Sequence, residues 1–197
     1  MDMADATGEG YPLVLQSGAD PSTLGGVAVC GLTTVGSVGV IAASHLIASL
    51  GLKPMGTVIH PEFPAVALIQ ESVPKHPVRV YQGEEMGVFI SEIQFPQASD
   101  FQFGNTVLEW FQKGGFDRLV IIDGLVSEDL GLKEDGDIWG VASLQSGRDA
   151  LDTVGIQRIQ QGIVTGVSGF LLAEGERQGL DITVPVSYTH LTLPTMS

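Results

Sequence analysis

Thr33, Thr34, Gly36 and Ser37 follow a short apolar run and precede a helical pattern, so they stand at a strand-to-helix turn. Hydroxyls and backbone N–H groups at the start of a helix can receive an anion, and the chemistry of such a turn is phosphate or small-ligand binding. A phosphate-cradling loop also needs Lys followed by Ser or Thr directly after its second glycine, where this chain has Ser37-Val38. The dinucleotide pattern fails too, because Gly31 and Gly36 stand too far apart to be its first two glycines. The other reading of Gly31, Gly36 and Gly39 is architectural: a tight turn and a close helix-to-sheet approach.

Asp123 ends the apolar run Arg118-Leu119-Val120-Ile121-Ile122, where α/β enzymes often place a functional carboxylate. Asp123-Gly124 is equally a turn-forming pair. Thr33, Thr34, Gly36, Ser37 and Asp123 together make the candidate ligand-binding set, one that would suit a small-molecule or nucleoside-binding enzyme. No catalytic constellation accompanies it. Gly166-Val167-Ser168-Gly169 comes nearest to a nucleophile elbow but spaces its glycines wrongly around the serine. Cys30 is the single cysteine and sits in an apolar run, which suits a small buried hydrophobe and rules out an intrachain disulfide or a thiolate metal cage. His45, His60, His76 and His190 form no pair at metal-ligand spacing. No catalytic residue, metal ligand or cofactor is assigned.

The elements that must position these residues follow from periodicity. Val27 to Cys30 is a continuous apolar run suited to a strand buried on both faces. Val40, Ile41, Ala43, Leu46, Ile47 and Leu50 recur at helical spacing, with Gly51 as the stop. Residues 54–59 read as the next strand, which makes a βαβ unit. Residues 78–81 and 88–93 suit a hairpin forming an antiparallel extension, residues 103–113 a helix ended by Gly114-Gly115, and residues 118–124 a buried strand. Further strands are expected at 138–144, 161–164 and 180–186, a short helix at 147–153, and a last helix capped by Ser168. The fold class is therefore α/β, a mostly parallel sheet with helices on both faces and an antiparallel hairpin extension.

The 197 residues fit one domain, with 44% hydrophobic and 16% charged content. Nine Lys and Arg against 23 Asp and Glu give a formal charge of -14, a field that repels nucleic acid and anionic membranes. The acidic clusters at Glu84-Glu85, Glu128-Asp129 and Glu134-Asp135-Asp137 lack calcium-loop spacing and read as solvated surface. No Asp, Glu, Lys or Arg occurs from Val27 to Leu52, a span long enough to cross a bilayer, but its glycines, hydroxyls and change of period argue against that. The N-terminus has no secretory pattern, so the expected location is cytoplasmic, and residues 1–10 are expected to be disordered.

The order Gly31-x-x-x-x-Gly36-x-x-Gly39, then Asp123-Gly124, then the block from Gly162 to Gly175, resembles the proteasome assembly chaperone family, second type. The resemblance runs from about Leu24 to Val186. It implies a non-enzymatic, chaperone-like α/β domain that binds proteasome α-subunits or the assembled α-ring as a homo-oligomer, and it carries over no catalytic residue. Family members usually continue past the position of Val186 with a further segment and a final helix. Here residues 187–197 instead resemble translated sequencing-library adapter of the kind found in metagenomic reading frames. The expected organisation is thus a disordered stretch at 1–10, one domain at 11–186 that is incomplete at its C-terminus, and a non-native tail at 187–197.

Overall fold

The computed structural model describes residues 10–17, 19, 25–94, 96–126 and 138–189. Residues 1–9, the acidic clusters at Glu128-Asp129 and Glu134-Asp135-Asp137, His190 and the tail beyond it lie outside the described residues.

After a short strand β1 (Leu13–Leu15), the uncharged stretch becomes strand β2 (Val27–Leu32), a 3-10 turn at Val35–Ser37 and helix α1 (Val38–Ser49). β2 is buried from Ala28 onward, which is why its sequence is uninterruptedly apolar. α1 stops where expected. Gly51 takes φ +60°, letting Gly51 N–H reach Ala48 O and Leu52 N–H reach Ile47 O, and this pair of bonds satisfies the last carbonyls. Strand β3 (Lys53–Val58) follows, then a separate two-stranded hairpin of β4 (Leu68–Gln70) and β5 (Val73–Lys75).

Strands β6 (Val78–Gln82) and β7 (Met86–Ser91) form the expected antiparallel hairpin. Helix α2 (Asp100–Lys113) leads to β8 (Arg118–Val126) and β9 (Ile138–Ala142). The chain then passes through α3 (Gln145–Thr153), the two-residue β10 (Gln157–Arg158), α4 (Gly166–Gln178) and β11 (Ile182–Thr189).

The main sheet has the order β1-β3-β6-β7-β2-β8-β11-β9-β10. Its centre, β7-β2-β8-β11, is parallel, and the strands toward β1 pair antiparallel. This is the α/β architecture expected from the sequence. The βαβ unit is present in looser form, because β6 and β7 stand between β2 and β3. β11 runs on to pair Thr189 with Val126. Residues 161–164 are not a strand, and Ile163 is 84% exposed, since a β-branched run forms a strand only where a neighbour offers backbone partners.

Helices cover both faces. α1 packs on Val29, Tyr81, Val88 and Ile90, whereas α2 and α4 cover the larger core containing Phe89, Phe103, Trp110, Leu119 and Leu171. Gly147 of α3 approaches Thr183, which pairs with Val120 and through it with Val29, so α3 lies on the α1 side. Among the described residues no helix is long and apolar enough to cross a membrane.

Cys30 is fully buried in β2, and burial pushes its thiol up, with the Asp123 carboxylate adding to the effect. A thiol reagent at pH 8 is expected to leave Cys30 unmodified in the native protein and to label it only as the chain unfolds, measured by release of the reagent's chromophore. Because the folded state holds this proton more tightly, its contribution to stability is complete below about pH 8.5 and declines above it. Labelling at the rate of a free thiol under native conditions would contradict the burial.

Candidate functional site

Among the described residues two concave features bear on the candidate residues and the open helix α1, and they lie on different parts of the sheet. The first is a cleft of about 380 Å³ at the carboxyl end of β2, beside Asp123 and Gly124, which continue β8 against β11 instead of turning, and walled by the first turn of α4. β2 leads through α1 to one side of the sheet and β8 leads to β9 on the other, so the cleft lies where the chain's direction of travel diverges. Open α/β sheets place ligands at such points.

Thr33, Thr34 and Asp123 line this cleft together, while Gly36 and Ser37 are not part of its lining. Gly36 and Ser37 instead turn the chain, with φ +70° and +53°. Gly31 and Gly39 sit at a backbone crossing: a Cβ on Gly31 would lie 2.4 Å from Gly39 O, and one on Gly39 would lie 2.3 Å from Ile122 O. The helix reaches the sheet this closely only because both positions lack side chains.

Asp123 is 5% exposed. Its Oδ2 accepts from Ser168 Oγ at 2.5 Å and its Oδ1 from Gly124 N–H at 2.7 Å. Thr34 Oγ1 accepts from the same Gly124 N–H at 3.3 Å, and Thr33 Oγ1 donates to Ser91 O at 2.8 Å. The polar groups of the cleft are thus largely turned toward one another. Asp100, at the start of α2, is the remaining acid, and burial raises its carboxyl pKa. Among the described residues no Lys, Arg or His lines the cleft, so a phosphate there would meet Asp100 and Asp123.

Ser168 was expected as a helix cap. It lies inside α4, whose N-cap position is Thr165, and it ties α4 to β8 through Asp123. A carboxylate is far too weak a base to strip a serine hydroxyl, and among the described residues no histidine lines the cleft to do so. The bond positions two elements. Sequence reasoning missed this pair because its members are 45 residues apart and each has a local explanation.

The second feature is a groove of about 750 Å³ between α1 and the β4–β5 hairpin. Ile47 and Ala48 of α1, Leu52 and Tyr81 beneath, and Val73 and Pro74 of the hairpin make its walls apolar. Arg79 at its edge is held by Glu92 and by His76 O at 2.6 Å. α1 carries no charged residue, yet its outer side is open, with Ile41 64% exposed. His45 is on this open side, its Nε2 3.3 Å from Ser49 Oγ. Ile69 of the hairpin is 67% exposed. Among the described residues no three His, Cys, Asp or Glu side chains gather to hold a metal ion.

The sheet thus carries an internally bonded cleft on one part and an open apolar surface on another. Its architecture is shared with PbaA of Pyrococcus furiosus, an archaeal homologue of proteasome-assembly chaperone, at TM-score 0.78 and 26% identity over 90% of this chain and 76% of that one. PbaB of the same organism, an archaeal proteasome activator, matches at TM-score 0.72 and 17% identity, covering 92% of this chain and 81% of its own. A Thermoplasma acidophilum protein of unknown function matches at TM-score 0.75 and 24% identity, covering 89% and 72%. No curated protein matches the chain in sequence. The chain belongs to the PAC2 family, whose model matches residues 28–196.

Proposed function

We propose that this protein is a non-enzymatic, chaperone-like factor of the cytoplasm that binds proteasome α-subunits or the assembled α-ring and works as a homo-oligomer. The observation that carries the reading is family membership over residues 28–196 together with the likeness to PbaA. The cleft supports it from the other side. Its buried carboxylate, Asp123, is engaged by Ser168 and Gly124, and among the described residues no general base stands beside a nucleophile there. An acidic chain with an uncharged apolar surface has the make-up of a protein that meets other proteins.

The test is capture of purified proteasome α-subunits by the immobilised full chain, beside an unrelated protein of similar negative charge. Retention at micromolar concentration on this chain and not on the control is the expected result. Equal retention on both, or none on either, would remove the reading.

A further inference from the structure

We propose that the groove between α1 and the β4–β5 hairpin binds a small amphipathic monocarboxylate, a free acid with an extended apolar tail and a single carboxylate. The site goes beyond the proposed function and does not rest on it.

The chain carries nine Lys and Arg against 23 Asp and Glu, yet the groove reverses that balance: Lys75 and Arg79 line it beside one acid, Glu71. A recess of opposite sign to the rest of its protein favours an anion. Arg79 is 6% exposed and alternates along β6 with the core residues Val78 and Val80, so it stands with Tyr81 on the α1 side. Its Nη1 donates to His76 O at 2.6 Å and its Nη2 to Glu92, but its Nε is buried with no partner among the described residues. A buried donor left unpaired is costly, and a carboxylate oxygen seated at Arg79 would supply its acceptor. Lys75 is half-buried in β5 and, among the described residues, makes no ion pair.

The remaining charge selects the head group. With Arg79 engaged by Glu92, Lys75 is the groove's cation left without an acid, which suits one carboxylate and falls short of a doubly charged phosphate. The walls select the rest of the molecule. Ile47 and Ala48 of α1, with Leu52, Val73 and Pro74, offer apolar surface that a fully polar anion would leave unused, and about 750 Å³ is the size of a small-molecule pocket. The recess is also held in shape. Gln70 of the hairpin donates from Nε2 to Glu92 Oε1 at 3.3 Å, tying the hairpin to the end of β7 beside Arg79 and spacing the walls before a ligand arrives.

The experiment is titration calorimetry of the full chain with octanoate, octanol, octyl phosphate and a short apolar peptide with a free carboxyl end, repeated on Lys75→Gln and Ala48→Trp. Octanoate is expected to bind one per chain with a dissociation constant of about 1 mM or tighter, and the other three at least about tenfold more weakly. Lys75→Gln should weaken octanoate about tenfold and leave octanol unchanged, because it removes a charge-assisted bond and none of the apolar wall. Ala48→Trp fills the groove from an exposed position of α1 and should abolish octanoate binding. Neither position is buried, so thermal melts of both variants should match that of the unmodified chain. Heat that does not saturate, several octanoates per chain, equal affinity for octanol, or octanoate binding that survives Ala48→Trp would each overturn the proposal. So would tighter binding of the peptide, since the groove would then receive peptide ends. Failure of α-subunit capture with octanoate still bound would strike the proposed function and leave this site standing.

Discussion

Replacing Gly39 with alanine is expected to destabilise the protein by about 3 kcal/mol or more, at the upper end of what overpacking costs. The new methyl would lie 2.3 Å from Ile122 O and 3.0 Å from Leu32 N and O. All three are backbone atoms of central strands, so relief requires α1 to move off the sheet and open the contacts with Val29, Val88 and Ile90. For a chain of this size the loss corresponds to a fall in melting temperature of about 6 to 12 °C. Gly36→Ala gives the contrast. Gly36 is exposed at φ +70°, so alanine there costs only about 1 to 2 kcal/mol of backbone strain. Calorimetric melts of the two variants compare them directly, and a Gly36→Ala loss larger than that of Gly39→Ala would contradict an architectural role for the crossing.

The second large effect is expected at Asp123. Asp123→Ala leaves the Ser168 hydroxyl, 2% exposed, without its acceptor and removes one acceptor of Gly124 N–H, for a cost of about 2 to 4 kcal/mol. Ser168→Ala is expected to cost less, since the carboxylate keeps Gly124 N–H and borders the cleft. The double variant should be less harmful than the sum of the two, with a coupling of about 1 to 2 kcal/mol in urea titrations. Additive losses would mean that the short bond joining α4 to β8 contributes nothing of its own. Capture of α-subunits should survive in whatever fraction of each variant is folded, because neither side chain is surface.

The parts of the fold that the sequence announces are those where one local feature decides. β2 and β8 are buried runs with few alternatives, and α1 is bounded by the Gly36-Ser37 turn and by Gly51. Elsewhere the deciding partner is remote. The β4–β5 hairpin turns through Glu71 and Ser72 at positive φ without the glycine or asparagine that usually marks such a turn, and Pro74 lies within its second strand. The β6–β7 hairpin is legible, but its insertion beside β2 is not, because strand order depends on which edges meet in three dimensions. Residues 161–164 carry strand-like side chains and no strand partner.

The candidate site shows the same division. Thr33, Thr34 and Asp123 do converge, since Thr33 and Thr34 follow β2 and Asp123 lies in the adjacent parallel β8, while Gly36 and Ser37 are drawn away by the turn they make. Ser168 joins them from α4. α1 reads in the sequence as an uncharged helix, which suggests burial all round, and only the structure shows that the sheet leaves one side uncovered at Ile41.

The account turns on protein binding, and the most direct measurement is titration calorimetry of the full chain into purified proteasome α-subunits, repeated with Asp123→Asn. Saturable binding with a dissociation constant in the micromolar range or tighter, retained in folded Asp123→Asn, is the result expected. An absence of binding heat at several temperatures, with both proteins folded and no complex in a parallel sedimentation run, would contradict it.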